Sequence, residues 1–199
     1  MDMDIVTTLI ALAVGYLAGS IPFGLLLAKA TGQGDIRKIG SGNIGATNVL
    51  RTGRKDIAAL TLLLDAAKAG VTGVIIAHFF GQPFGYIAAG AALIGHCYPV
   101  WLGFKGGKGV ATFFGGLFAL VWPIAIVAAI VWLATAFITK LSSLGALLAC
   151  IIASAVAWFI APQAAAIMVT FMAIIILIRH KENITRLLKG EESKIGQKD

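Results

Sequence analysis

Long apolar runs broken by short polar interruptions set the pattern of this chain. Mostly apolar stretches cover residues 5–29, 57–80, 84–104, 144–160 and 163–178. Each is close to the roughly 20 residues that a helix needs to cross a bilayer. A further stretch, 110–139, is longer and carries Trp122-Pro123 near its middle. It reads either as one over-long helix or as two short ones divided there.

The polar segments choose between these readings, because Lys and Arg gather in cytoplasmic loops. Segment 29–56 carries Lys29, Arg37, Lys38, Arg51, Arg54 and Lys55 against Asp35 and Asp56. Lys105 and Lys108 mark a second basic loop, and the tail after residue 178 is mostly basic, whereas the turns at Gly81 and Ala161-Pro162 carry no charge. Lys140 fixes the parity: to pass from Lys108 inside to Lys140 inside, the chain must cross twice. Residues 110–139 are therefore expected as two helices, since one continuous helix would put the basic tail outside. The expected fold is an all-α integral membrane protein of one domain, residues 1–199, with seven transmembrane helices, the N-terminus outside and the C-terminus cytoplasmic. A variant with five full spans and a re-entrant segment keeps that orientation.

Composition agrees. Of 199 residues, 59% are hydrophobic and 13% charged, whereas a soluble domain is about half apolar and a quarter charged. The acidic start and uninterrupted first apolar run read as a retained span, not a cleaved signal. Cys97 and Cys150 lie in or near apolar runs without metal-ligand spacing and read as buried thiols.

Every informative polar cluster falls on the cytoplasmic side of this topology. GSGNIGATNVLR, residues 40–51, combines Gly40, Gly42 and Gly45 with Ser41, Asn43, Thr47, Asn48 and Arg51. Glycines allow close backbone approach, successive N–H groups make an anion-binding concavity, and arginine offers a two-pronged donor to phosphate. A plain flexible linker would lack the Asn and Arg. In GHCYPVWLGFKGGKGVAT, residues 95–112, Lys105 and Lys108 alternate with Gly106, Gly107 and Gly109 just before an apolar helix. Helix N-termini attract anions. The spacing is not that of a nucleotide-binding P-loop, and two lysines alone would serve as a positive-inside anchor. His96 on the same segment reads as a packing residue. His180 and Asn183, three apart in HKEN, share a helix face; an ordinary interfacial helix end is the alternative. Asp65 and Lys68, inside an apolar run, read as an i,i+3 pair that is structural or shapes the site, with substrate contact by Lys68 as the alternative.

These motifs closely resemble the three cytoplasmic motifs of the PlsY family, bacterial acyl-phosphate:glycerol-3-phosphate acyltransferases: GSGNIGATNVLR, then GHCYPVWLGFKGGKGVAT, then HKENITRLLKG. SIPFG, residues 20–24, and DAAKAG, residues 65–70, fit as well, so the match runs from about Ser20 to Gly190. The resemblance implies seven helices in the bacterial inner membrane with a cytoplasmic active site. It implies direct acyl transfer from acyl phosphate to the sn-1 hydroxyl of glycerol 3-phosphate, giving lysophosphatidic acid and inorganic phosphate. Beyond these substrates and the lipid bilayer, no cofactor, metal, nucleic acid or obligate protein partner is implied. The HX4D signature of other glycerol-3-phosphate acyltransferases is absent, since His78, His96 and His180 have no Asp five positions on.

Carried onto this chain, the resemblance gives catalytic roles to Ser41, Arg51, Lys108, His180 and Asn183. Ser41, Arg51, Lys105 and Lys108 bind phosphate, with Lys108 preferred over Lys105, while His180 and Asn183 orient glycerol 3-phosphate. Gly42, Asn43, Gly45, Thr47, Asn48, Gly106, Gly107 and Ser142 line or shape the site. The proton acceptor is either His180 or the donor's own phosphate, the latter being necessarily beside the reacting carbonyl. A transporter of small organic phosphates is the rival from another class, and an acyl-CoA-dependent transferase is the rival within this one.

Overall fold

Asp4 starts the first helix. Its carboxylate accepts the N–H groups of Val6 (3.3 Å) and Thr7 (2.9 Å), satisfying donors that the first turn leaves open. The structure is a computed structural model and describes residues 4–40 and 42–195. Among these, every regular element is helical: α1 (Ile5–Gly19), α2 (Phe23–Ala30), α3 (Ala46–Leu50), α4 (Lys55–Phe80), α5 (Gln82–Cys97), α6 (Val110–Leu120), α7 (Trp122–Thr139), α8 (Ser142–Ile160), α9 (Gln163–Arg179) and α10 (Lys181–Lys189), with short 3-10 turns at Ile36–Lys38 and Val100–Leu102.

Among the described residues, four helical stretches are long and apolar enough to cross a membrane: Ile5–Ala30, Lys55–Phe80, Trp122–Thr139 and Ser142–Ile160. The first combines α1 and α2, which Ser20-Ile21-Pro22 separates. Gln163–Arg179 and Lys181–Lys189, bent by 61°, make a fifth if taken together. The ambiguous 110–139 stretch is broken where the sequence suggested: α6 stops at Leu120, Val121 leaves the helical region (φ −147°, ψ 55°), and α7 starts with Pro123 in its first turn. Proline lacks the N–H that would continue the α6 hydrogen-bond ladder. At 11 residues, α6 spans about 16 Å, half of a ~30 Å hydrocarbon core.

In lipid there is no hydrophobic drive between helices, so close packing of small residues takes its place. A β-carbon at Gly15 would strike the Ala88 carbonyl, one at Gly19 the Ala92 carbonyl, and one at Gly95 the Tyr16 carbonyl, so α1 and α5 touch backbone to backbone. Gly115 of α6 meets Ala66 of α4 in the same manner. Larger side chains fill the other side of α5, where Leu93 and Cys97 pack with Phe113, Leu117, Ile124, Met172 and Ile176. Cys97 and Cys150 are buried free thiols, as expected. This rigid frame fixes the ends of α5, α6, α8 and α9, from which the polar segments project.

Candidate active site

The loop before α6 is tied down by its own backbone. Gly106 N–H donates to Cys97 O (3.1 Å) and Gly107 N–H to His96 O (3.0 Å), docking the loop on the last turn of α5. Its carbonyls are held from the opposite side: Arg179 donates through Nε to Gly107 O (3.0 Å) and through a terminal nitrogen to Gly106 O (2.9 Å). The same guanidinium lies 5.1 Å from the Tyr98 ring centre, and Tyr16 OH donates to Tyr98 O (2.9 Å). The amides of Gly106 and Gly107 are thus engaged by carbonyls, while Lys105 turns to solvent and Lys108 toward Asn183. Gly109 closes the loop with φ 86°, a left-handed turn that glycine adopts without steric cost. Lys105 is exposed and Lys108 half-buried.

Lys108 meets the third motif directly. Its ammonium donates to Asn183 Oδ1 (2.6 Å), and Asn183 Nδ2 donates to Glu192 Oε1 (2.5 Å). Ser143 Oγ donates to the same oxygen (2.6 Å), while Arg186 Nε donates to Glu192 Oε2 (2.7 Å). Four segments, from the α6 loop, the start of α8, α10 and the tail, therefore converge on one hydrogen-bonded cluster. Arg51 joins it through Ser193, to whose Oγ it donates (3.3 Å), and Ile195 N–H donates to Lys140 O (2.7 Å). The segment after α10 thus straps across the end of the bundle.

The charges follow from these contacts. Burial pushes the Lys108 pKa down, helped by Arg186 and Arg179 and opposed by Glu192 and Glu182. Burial alone would raise the Glu192 carboxyl, but hydrogen bonds from Ser143, Asn183 and Arg186 outweigh it and hold the group below its usual range. Burial brings His180 down to about 4, so the ring is neutral at physiological pH. Its Nδ1 lies 2.8 Å from Ile176 O. A carbonyl can only accept, so Nδ1 carries the proton and Nε2 keeps a free lone pair. Among the described residues, no three His, Cys, Asp or Glu side chains converge in a way that would hold a metal ion.

The first motif forms a supporting turn. Gly40 takes φ 51°, and a β-carbon there would lie 2.6 Å from Arg51 Cδ and 2.6 Å from Asn48 Oδ1. Only a glycine lets both side chains come so close. Asn48 is buried and donates to Ile36 O (2.7 Å) and Asn43 O (2.8 Å), holding the turn closed. Gly45 caps α3, Gly42 has φ 66°, and Thr47 is exposed. Ser41 lies outside the described residues. In the α7–α8 turn it is Ser143 that reaches Glu192; Ser142 stands one residue earlier, half-buried.

The structure therefore brings together Lys108, Asn183 and Arg51 from three separate motifs. It adds Glu192, Ser143, Arg179 and Arg186, which sequence reasoning missed. Glu192 stands beyond the third motif in a mostly basic tail, and nothing local marks it as a hub. Asp65 and Lys68 do pair, at 2.9 Å, as the i,i+3 spacing suggested.

Residues 9–190 match the family model described as glycerol-3-phosphate acyltransferase. A relative named glycerol-3-phosphate acyltransferase from Maricaulis maris is 54% identical over 197 residues, covering 98% of this chain and 90% of its own length. One of the same name from Caulobacter vibrioides is 56% identical over 193 residues, covering 95% and 88%. Two crystal structures of PlsY (YgiH), an integral membrane glycerol 3-phosphate acyltransferase, are similar throughout. Its glycerol 3-phosphate form superposes with TM-score 0.89 at 38% identity, covering 95% of this chain and 96% of that one. Its lysophosphatidic acid form gives 0.87 at 37%, covering 95% of each.

Proposed function

The chain belongs to the glycerol-3-phosphate acyltransferase family, and from that premise we propose that it transfers a fatty acyl group from acyl phosphate to the sn-1 hydroxyl of glycerol 3-phosphate. The products are lysophosphatidic acid and inorganic phosphate, in the first acylation of phospholipid synthesis. The observation that carries this reading is the junction of Lys108 with Asn183 and Glu192, close to Arg51, Arg179 and Arg186. It is a cationic cluster at one end of an apolar bundle. The glycerol 3-phosphate and lysophosphatidic acid forms of the PlsY structures support the same acceptor and product here.

Both substrates carry phosphate and one carries a long alkyl chain. Each CH2 buried in lipid contributes roughly 0.8 kcal/mol, so the acyl donor stays in the membrane while glycerol 3-phosphate arrives from water. The chain folds as one domain and crosses the inner membrane seven times, with α1–α2 as the first span, the short α6 as a crossing that local bilayer thinning accommodates, and α7 as a separate one. The cluster then faces the cytoplasm, beside the basic loops.

Acyl phosphate is a mixed anhydride with a good leaving group, so direct transfer suffices. The acceptor oxygen attacks the acyl carbon, the bond from that carbon to the phosphate oxygen breaks, and its electron pair leaves with phosphate. The hydroxyl proton ends on a phosphate oxygen. A ring with a pKa of about 4 is a weak base at neutral pH, whereas the donor's phosphate oxygens lie beside the reacting carbonyl and gain negative charge as the bond to the acyl carbon breaks. His180 instead offers its Nε2 lone pair to orient the acceptor hydroxyl. Lys108 and Arg51 hold phosphate, together with Ser41 and the exposed Lys105, while Asn183 sets the Lys108 ammonium. Gly42, Asn43, Gly45, Thr47, Asn48, Gly106, Gly107 and Ser142 shape the surrounding walls. Positioning and charge stabilisation supply the catalysis.

The test uses protein purified in lipid, given acyl phosphate and glycerol 3-phosphate. Equal amounts of phosphate and lysophosphatidic acid, both lost in Arg51→Ala, are expected. Turnover with acyl-CoA but not acyl phosphate would overturn the donor assignment.

A further inference from the structure

Asp65, Lys68 and His96 form a buried ionic cluster to which the acyl transfer set out above gives no role. They are 2%, 6% and 4% exposed, inside the bundle and below the α6 loop. Asp65 Oδ1 lies 2.9 Å from Lys68 Nζ and 3.6 Å from His96 Nδ1. Lys68 also donates to Ile21 O (3.1 Å) at the break between α1 and α2. Charged groups at membrane depth are costly and mark function. A buried ion pair is also weak evidence for stability, since apolar replacements of similar volume are often neutral or stabilising.

The other edge of the imidazole points to the loop. His96 Nε2 lies against Gly107: a β-carbon there would overlap it, and would stand 2.8 Å from Cε1 and 3.0 Å from Cδ2. The backbone of the same histidine holds Gly107 N–H (3.0 Å), while Arg179 holds Gly107 O (3.0 Å) from above. Gly107 is thus clamped between the His96 ring and the Arg179 guanidinium, and the next residue is Lys108. At 3.6 Å Asp65 Oδ1 and His96 Nδ1 are in polar contact without a hydrogen bond, and Lys68, at 2.9 Å, holds that carboxylate beside the ring. The ring in turn fills the space against Gly107, the residue before Lys108.

We propose that Asp65 is a positioning residue for Lys108, acting through His96 and Gly107. The inference rests on the acyltransferase reading and deepens it. A misplacement of about 1 Å costs on the order of 100-fold in rate, so Asp65→Asn is expected to lower kcat/KM by that order. Residues that act as a unit are not additive, so in a Lys108→Met background the same substitution should cost less than about threefold. The double variant Asp65→Asn/Lys68→Met removes both charges and guards against misfolding. It is expected to unfold near the wild-type temperature and to show the same kinetic loss.

Wild-type kcat/KM in either variant would overturn the proposal. So would a full loss in the Lys108→Met background, or a loss that simply follows the unfolding temperature. Amide exchange gives a readout independent of activity: residues 106–109 are expected to exchange about tenfold faster in the double variant than in wild type, with α4 and α5 otherwise unchanged. Unaltered exchange there overturns the positioning role. Wild-type protein that transfers no acyl group from any donor would instead overturn the acyltransferase reading, leaving exchange to decide the positioning role.

Discussion

Lys108→Met separates chemistry from folding at one atom. Methionine keeps an unbranched side chain of similar length but removes the ammonium that donates to Asn183 Oδ1 at 2.6 Å. A hydrogen bond to a charged group contributes about 1.5–3 kcal/mol. Two unit charges 4 Å apart interact by about 4 kcal/mol at the effective dielectric near a protein surface. Taking 2–4 kcal/mol for lost phosphate stabilisation, kcat/KM should fall by about 30- to 1,000-fold. The fold should tolerate the change. Burial, Arg186 and Arg179 all disfavour the charged ammonium, so its removal relieves desolvation and repulsion while Asn183 loses one partner. About 1 kcal/mol moves the unfolding temperature of a chain this size by roughly 2–4 °C, and no larger shift is expected. The assay measures initial rates of phosphate and lysophosphatidic acid formation, varying each substrate in turn, beside a thermal unfolding curve. A kcat/KM within about threefold of wild type, in protein that unfolds normally, would refute the placement of Lys108 at a substrate phosphate.

Glu192→Gln leaves one carboxyl-type oxygen where two accept from Ser143, Asn183 and Arg186; losing one charge-assisted bond, about 2 kcal/mol, should lower kcat/KM by tenfold or more, and steady-state kinetics with unchanged rates would disprove the hub role. His180, held at about 4 against about 6.5 in an unfolded chain, stays unprotonated in the native state while the unfolded state gains a proton. Stability is therefore lost as pH falls from about 6.5 to about 4, by an amount on the order of 3 kcal/mol; unfolding of His180→Gln compared with wild type at pH 7 and pH 4.5 should show that extra acid sensitivity only in wild type. Gly19→Leu forces a side chain into the Ala92 backbone, whose Cα would lie 2.5 Å from the new β-carbon. Overpacking costs about 1–3 kcal/mol or more, so the unfolding temperature should drop while kcat/KM of the folded fraction stays at the wild-type value.

The sequence determined the fold class, because a bilayer leaves few choices: backbone polar groups must be satisfied within each segment, so long apolar runs become helices. It also located the break at Trp122-Pro123, since proline removes the N–H at a known position. The three motifs were legible because glycine, lysine, arginine and asparagine cluster in them between apolar runs, and Asp65 with Lys68 was legible because i and i+3 share a helix face. Tertiary structure alone decided what those motifs touch. Glu192 is an ordinary acidic tail residue until the strap carries it to Asn183, 9 positions away, and Ser143, 49 away. Gly107 looked like a phosphate cradle, yet the His96 ring against its α-carbon and the carbonyl that takes its N–H are the closest demands on it. Hydrophobic periodicity and loop charge act within or between neighbouring segments and are written along the chain. Contacts between side chains distant in sequence depend on how closely the small-residue faces let the helices approach, and that appears only once the bundle is packed.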